Sequence, residues 1–231
     1  MKKNLIIIAA LLLVAGTLQA ATVTYTNSVA MNHNQDATVS LNMFDSSLGT
    51  LTGIYLEYIT QLAGANVQLD NDSALAQQGT AAVLNNATAL STSTRITGTG
   101  ISRFALYIDA QQIFDLGATS EDALGVFNVT AGSDYANWSP GTLSASSGGY
   151  VDSSVFSDYI GLGTFTGTVI SSFFTSASFN GSDGYFQGNT PNGAFDGKVI
   201  YTYSPIPEPA TASLMALVAA IGFLIRRRFI A

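Results

Sequence analysis

The chain has 231 residues, no cysteine, one histidine and a formal net charge of −7 at pH 7. Without cysteine there are no disulfides, thiolate nucleophiles or zinc–thiolate sites, and no lipid-modified cysteine behind an export signal. Between residues 21 and 204 only three basic residues (Arg95, Arg103 and Lys198) stand against fourteen acidic ones, a net −11 that repels nucleic acid and leaves no basic stripe to follow a phosphate backbone.

At the start of the chain, Lys2 and Lys3 precede an apolar run over 5–15, after which Gly16 and small residues lead to Ala20. That is the layout of a secretory signal peptide over 1–20, carried by the Sec translocon and cut by signal peptidase between Ala20 and Ala21. The run is short and closes on a helix breaker, which speaks against an uncut anchor.

Residues 21–204 are enough for one sizeable domain. Short runs rich in Thr, Val, Ile, Tyr and Phe recur at 22–29, 37–44, 50–59, 102–110, 163–174 and 197–204, punctuated by Gly, Asn, Asp and Ser. In "ATVSLNMF" Val39, Leu41 and Met43 fall on one face and Ser40 and Asn42 on the other, as in a half-buried strand. Helix is expected at 152–163, with Asp152 as cap, Val155, Phe156, Tyr159 and Ile160 on one face and Gly161 as stop. Another turn or two is expected in "DNDSALAQQG" at 70–79, and "LSASSGGY" at 143–150 reads as a surface loop. The fold class these features predict is all-β, an antiparallel β-sandwich of the jelly-roll kind.

Candidate chemistry is sparse. His33, in "MNHNQDA", would need a nucleophile from elsewhere in the fold, and no Gly-x-Ser-x-Gly elbow supplies one. Paired carboxylates for glycoside hydrolysis would draw on Glu57, Glu121 and Glu208, but the Asp residues sit mostly in turn contexts, so no enzyme is expected. Asp70, Asp72 and Asp183 offer oxygen ligands for a structural Ca²⁺, although "DNDSAL" lacks the Gly and Glu of an EF-hand loop, and no metal ligand or cofactor is assigned. Thr22, Thr24 and Thr26, like Thr164, Thr166 and Thr168, project on one strand face as in some ice-binding surfaces. Tyr135, Trp138 and Tyr150 are candidates for stacking on sugar rings.

The tail, 205–231, has three parts in series. Pro205, Pro207 and Pro209 hold an extended segment around Glu208, 210–225 is apolar, and Arg226, Arg227 and Arg228 follow. As a helix the apolar run spans about 24 Å, short of a hydrocarbon core of about 30 Å. Three adjacent arginines are costly to bury in a protein core but snorkel readily at a bilayer, which makes 210–225 a transmembrane helix. The basic residues at both ends stay cytoplasmic and everything between them is exported.

Pro207-Glu208-Pro209, the apolar span and the terminal arginines resemble the PEP-CTERM sorting signal of Gram-negative bacteria. That resemblance implies exosortase as processing enzyme, transit through the inner membrane, and delivery to the cell surface or an exopolysaccharide and biofilm matrix. "FDSSLGTLTGIYLEY" at 44–58 and "FDGKVIYTYS" at 195–204 are similar to the choice-of-anchor E domain, a resemblance that implies location rather than activity. Within that segment Phe44 is expected to plug the core edge, Asp45 to cap a turn, and Gly49 to reverse the chain. The resulting expectation is an exported structural or adhesive protein, with a carbohydrate-binding or carbohydrate-active surface module as the alternative.

Overall fold

Strands form where apolar and polar residues alternate. In one of them Ile54, Leu56, Tyr58, Thr60 and Leu62 point inward and are buried, while Tyr55, Glu57, Ile59 and Gln61 point outward, because successive side chains of a pleated strand leave on opposite faces. The structure, a computed structural model, describes residues 19–91, 103–118, 133–206, 216–223 and 226. Its strands are β1 (Ala21–Met31), β2 (Ala37–Asn42), β3 (Gly49–Ala63), β4 (Val67–Asn71), β5 (Gln77–Ser91), β6 (Arg103–Leu116), β7 (Tyr135–Trp138), β8 (Leu143–Tyr150), β9 (Thr164–Phe179), β10 (Gly184–Gly188) and β11 (Asn192–Pro205).

Two four-stranded sheets, ordered β1-β11-β3-β8 and β2-β9-β5-β6, face each other. The pairs β1/β11, β2/β9, β3/β8 and β5/β6 are all antiparallel, as if one long hairpin were rolled up and its successive rungs dealt alternately to the two sheets. This is the double-sheet order of a jelly roll. The remaining strands interrupt the links from β3 to β5, β6 to β8 and β9 to β11, and they gather as a third sheet, β10-β4-β7. That sheet lies at one end of the sandwich. The start of β1, the end of β11 and the links β2–β3 and β8–β9 lie at the other.

The core fills the space between the two large sheets. Tyr58 of β3 stacks on Phe195 of β11 at 5.5 Å and meets the edge of Phe104 of β6 at 4.9 Å. Opposite it, β9 carries Gly167, where an added Cβ would stand 2.5 Å from the Tyr58 ring. Gly197 makes the same room for Val39 and Leu41. Burying each large apolar side chain stabilises by about 1.5–3 kcal/mol. Asn85 donates across the core to Thr60 Oγ1 at 3.2 Å, tying the sheets by a polar contact. Burial pushes the phenols of Tyr159 and Tyr201 well above the ordinary tyrosine range, and Tyr201 donates to the carbonyl of Asn42 at 2.8 Å.

Three local expectations are corrected. Residues 70–79 are not helical: β5 starts at Gln77, because Ala81, Val83, Asn85 and Ala87 alternate into the core and the strand is paired on both sides by β6 and β9. Residues 143–150 form the edge strand β8 rather than a loop; Gly148 fits because a Cβ there would stand 2.6 Å from the Leu56 carbonyl and 2.9 Å from the Tyr55 hydroxyl. At Ser153–Tyr159 the helix is of the tighter 3-10 kind, capped by Asp152, which accepts from Ser154 N at 2.8 Å. Tyr159 is buried as expected, but Ile160 leaves the helix in an extended conformation, bridges Phe44 and turns outward.

The signal-peptide run over 5–15 lies outside the described residues, and only part of 210–225 is described, with 216–223 helical. Among the described residues no helix is long and apolar enough to cross a membrane.

Because Gly167 faces a ring that is fully buried, Gly167→Ala should lower unfolding free energy by about 1–3 kcal/mol in urea titrations of the full chain. Gly53→Ala, whose new methyl would meet only the Thr202 side chain, Cβ at 3.4 Å and Oγ1 at 3.6 Å, should change it by less than about 1 kcal/mol. Equal effects at the two positions would contradict the packing described here.

Candidate functional site

The sequence directs attention to the end of β11, where the sorting segment begins. Phe44 is fully buried there, between Tyr201 at 5.6 Å and Tyr203 at 5.4 Å, and does plug the core edge. Asp45 accepts from Ser47 N at 2.8 Å and caps the 3-10 turn Ser46–Leu48, a bond that also holds its carboxyl below the usual range. Gly49 then turns the chain into β3 at φ +152°, in a place where a Cβ would overlap the Ser204 carbonyl at 2.1 Å. This close approach brings Gly49 opposite Pro205, and Ile206 N donates to Leu48 O at 3.3 Å.

Ala21 is paired with Tyr203, so the expected signal-peptidase product would begin beside the strand that leads into the tail. Ala20 is exposed just before it. Of the sorting residues, Arg226 is exposed in a helical position, whereas Pro207, Glu208, Pro209, Arg227 and Arg228 lie outside the described residues. The folded domain therefore runs to within two residues of the Pro-Glu-Pro segment.

The outer face of the first sheet brings together residues that the sequence left scattered. Tyr55 and Tyr150 are cross-strand partners with ring centroids 5.1 Å apart, and Tyr150 is 77% exposed. Beside them Lys198 pairs with Glu57 at 3.0 Å, and further along the same face Gln61 donates to Asp196 at 3.0 Å. Outward alternation along β3 was the signal that could have found Tyr55. Tyr135 and Trp138 sit apart on β7 and are half-buried; loss of water, and then the charge of Asp70, raise the Tyr135 phenol. The threonine rows likewise separate, with Thr22, Thr24 and Thr26 on the first sheet and Thr164, Thr166 and Thr168 on the second, so they make no common surface.

At the far end the fold unites the acidic runs. Asp72 N donates to Asp183 O at 2.8 Å and Asn71 N to Asp134 O at 3.0 Å. The buried Asn71 amide donates to Leu75 O and Gly117 O and accepts from Ser73 N and Gln77 Nε2. Backbone links between three connections are what this network supplies, and among the described residues no three acidic or histidine side chains converge as metal ligands. His33 lies in the exposed β1–β2 link, 2.8 Å from Asn34 Nδ2 and edge-on to Phe173 at 5.7 Å. Glu57 is held by Lys198, while Glu121 and Glu208 lie outside the described residues.

Residues 205–228 match the model of the PEP-CTERM protein-sorting motif, a span that includes Pro207-Glu208-Pro209 and the arginines at 226–228. The motif implies an exported precursor that passes through a membrane and is processed by exosortase. The choice-of-anchor E resemblance of 44–58 and 195–204 is not supported. No curated protein matches the chain. Among solved structures, the STIV MCP is similar at 9% identity and a TM-score of 0.27 over 82% of this chain and 49% of its own. The IBDV T13 viral particle gives 8% and 0.25 over 87% and 46%, and turnip yellow mosaic virus 12% and 0.20 over 83% and 99%. The chain spans about half the length of the first two, and overlaps so slight carry no argument.

Gly49→Ala should push the end of β11 away from β3. Amide exchange at Ser204 and Ile206 should then accelerate by at least about tenfold, the equivalent of roughly 1.4 kcal/mol of local opening, while Val199 in mid-strand stays protected. Unchanged exchange at Ser204 would show that this glycine does not hold the end of the strand.

Proposed function

We propose that the chain is the precursor of a structural or adhesive surface protein, without enzymatic activity, whose jelly-roll domain is delivered to the cell surface or to an exopolysaccharide matrix. The observation that carries this reading is the sorting motif at 205–228, which starts at the last residue of the last strand. Its prolines exclude helix around Glu208 and present an extended backbone to a protease. The apolar run 210–225 enters the bilayer, and Arg226, Arg227 and Arg228 stop it on the cytoplasmic side.

Replacing Pro207, Glu208 and Pro209 together by Ala should leave the protein exported but uncut in the inner membrane. Mass spectrometry of the C-terminus in each cell fraction reads this directly, and an unchanged mature C-terminus in the triple variant would reduce the tail to a plain anchor.

A second reading is favoured by one feature, the exposed Tyr150 against Tyr55 with the Lys198–Glu57 pair alongside, which suits stacking on a sugar ring. It requires that Tyr150→Ala, at a site too exposed to affect folding, abolish glycan-array binding by the full chain; no binding by the parent protein would dismiss it.

A further inference from the structure

The loops surrounding the tail's exit are apolar at their tips. Leu162 is 91% exposed, Ile206 59%, Ile160 40% and Leu48 37%. Single exposed apolar residues are ordinary on a protein surface, but these four are tied into one cluster by the backbone. Ile206 N donates to Leu48 O, Leu48 N to Asp45 O, Gly161 N to Phe44 O, and Ile160 bridges Phe44, with Leu162 next in the chain.

From this geometry we infer that the tail end of the sandwich, through Leu48, Ile160, Leu162 and Ile206, seats on the outer surface of the bilayer that holds the precursor. It rests on the reading of 210–225 as the membrane-inserted run, and names a lipid contact of the folded domain that the sorting motif does not require. Four residue steps separate Ile206 from Ala210, a reach of at most about 14 Å, so the pole cannot stand far from the interface. An apolar tip that dips about 5–10 Å into the headgroup and acyl boundary lies within that reach. Asp45, Asp152 and Asp158 lie in these loops, the first two with carboxylates hydrogen-bonded to Ser47 N and Ser154 N, and no Lys or Arg lies in 43–48 or 151–163. The attraction is therefore apolar, and salt strengthens the contact by screening acidic repulsion from an anionic surface.

The chain has no cysteine, so single-cysteine variants of the full precursor can carry a fluorophore at one chosen depth. In vesicles of phosphatidylethanolamine and phosphatidylglycerol, the label on Leu162→Cys should lose most of its emission to spin labels placed near the headgroups, and no less of it at high salt than at low. The matched control is Leu75→Cys, equally apolar and 75% exposed but at the far end, whose label should keep its emission. A label on Leu217→Cys, at the middle of the apolar run, is read with spin labels placed deep on the acyl chains and reports whether that run is in the bilayer. If Leu217 is quenched and Leu162 no more than Leu75, the seating is wrong and the anchor reading stands; if Leu217 is unquenched, both fail. Leu162→Asp, at a residue too exposed to disturb folding, should weaken quenching of a label on Ile206→Cys, and unaltered quenching there would also overturn the seating.

Discussion

β11 is hydrogen-bonded on both sides along almost its whole length, to β1 from Met31↔Gly193 to Ala21↔Tyr203 and to β3 from Ala63↔Asn192 to Gly49↔Pro205. The last strand of the domain is thus the one that holds the first strand in place. Until it arrives, β1 has no partner in its sheet, and Ile54, Leu56 and Tyr58 lack Phe195, Val199 and Tyr201 beside them. Pairings so distant in sequence are late events, because the loop entropy is lost before the contacts form. Completion of the fold is therefore coupled to export of the whole of 21–205, and the sorting segment follows at once.

The way β11 ends is shaped by a few residues. Its register with β3 shifts between Thr202 and Tyr203, a bulge that bends the strand as it leaves the sheet. Phe44 fills the space below, and its truncation to Ala would remove about 3–5 kcal/mol of packing from the place where β11 ends. Stability of the domain edge and of the end of β11 rests on one aromatic group.

The two ends of the sandwich differ in chemistry as well as position. At the far end, Asn71 and its partners pull three inserted strands together with amide and backbone hydrogen bonds, and Asp70, Asp72 and Asp134 are buried among them. Such groups persist in the interior because their neighbours are polar. At the tail end the links carry 3-10 turns capped by Asp45 and Asp152 and are tipped with leucine and isoleucine.

Alternation and turn chemistry, which act over a few residues, were enough for the sequence by itself to determine the all-β class, six of the strands, the Asp45 and Asp152 caps and the burial of Phe44; the sorting motif was legible through its resemblance to a known signal. Segments whose local pattern is weak were misread: 70–79 carries good helix formers, but β5 is a strand because β6 and β9 flank it; 143–150 is polar and glycine-rich, yet β3 lends it a ladder. Nothing in the residues around 55, 57, 150 and 198 ties them to one another. Only the register of three strands, distant in the chain, sets Tyr55 against Tyr150 and Glu57 against Lys198. The same is true of Leu48, Ile160, Leu162 and Ile206, which share one end of the molecule because an antiparallel roll returns its alternate links to the end where it began.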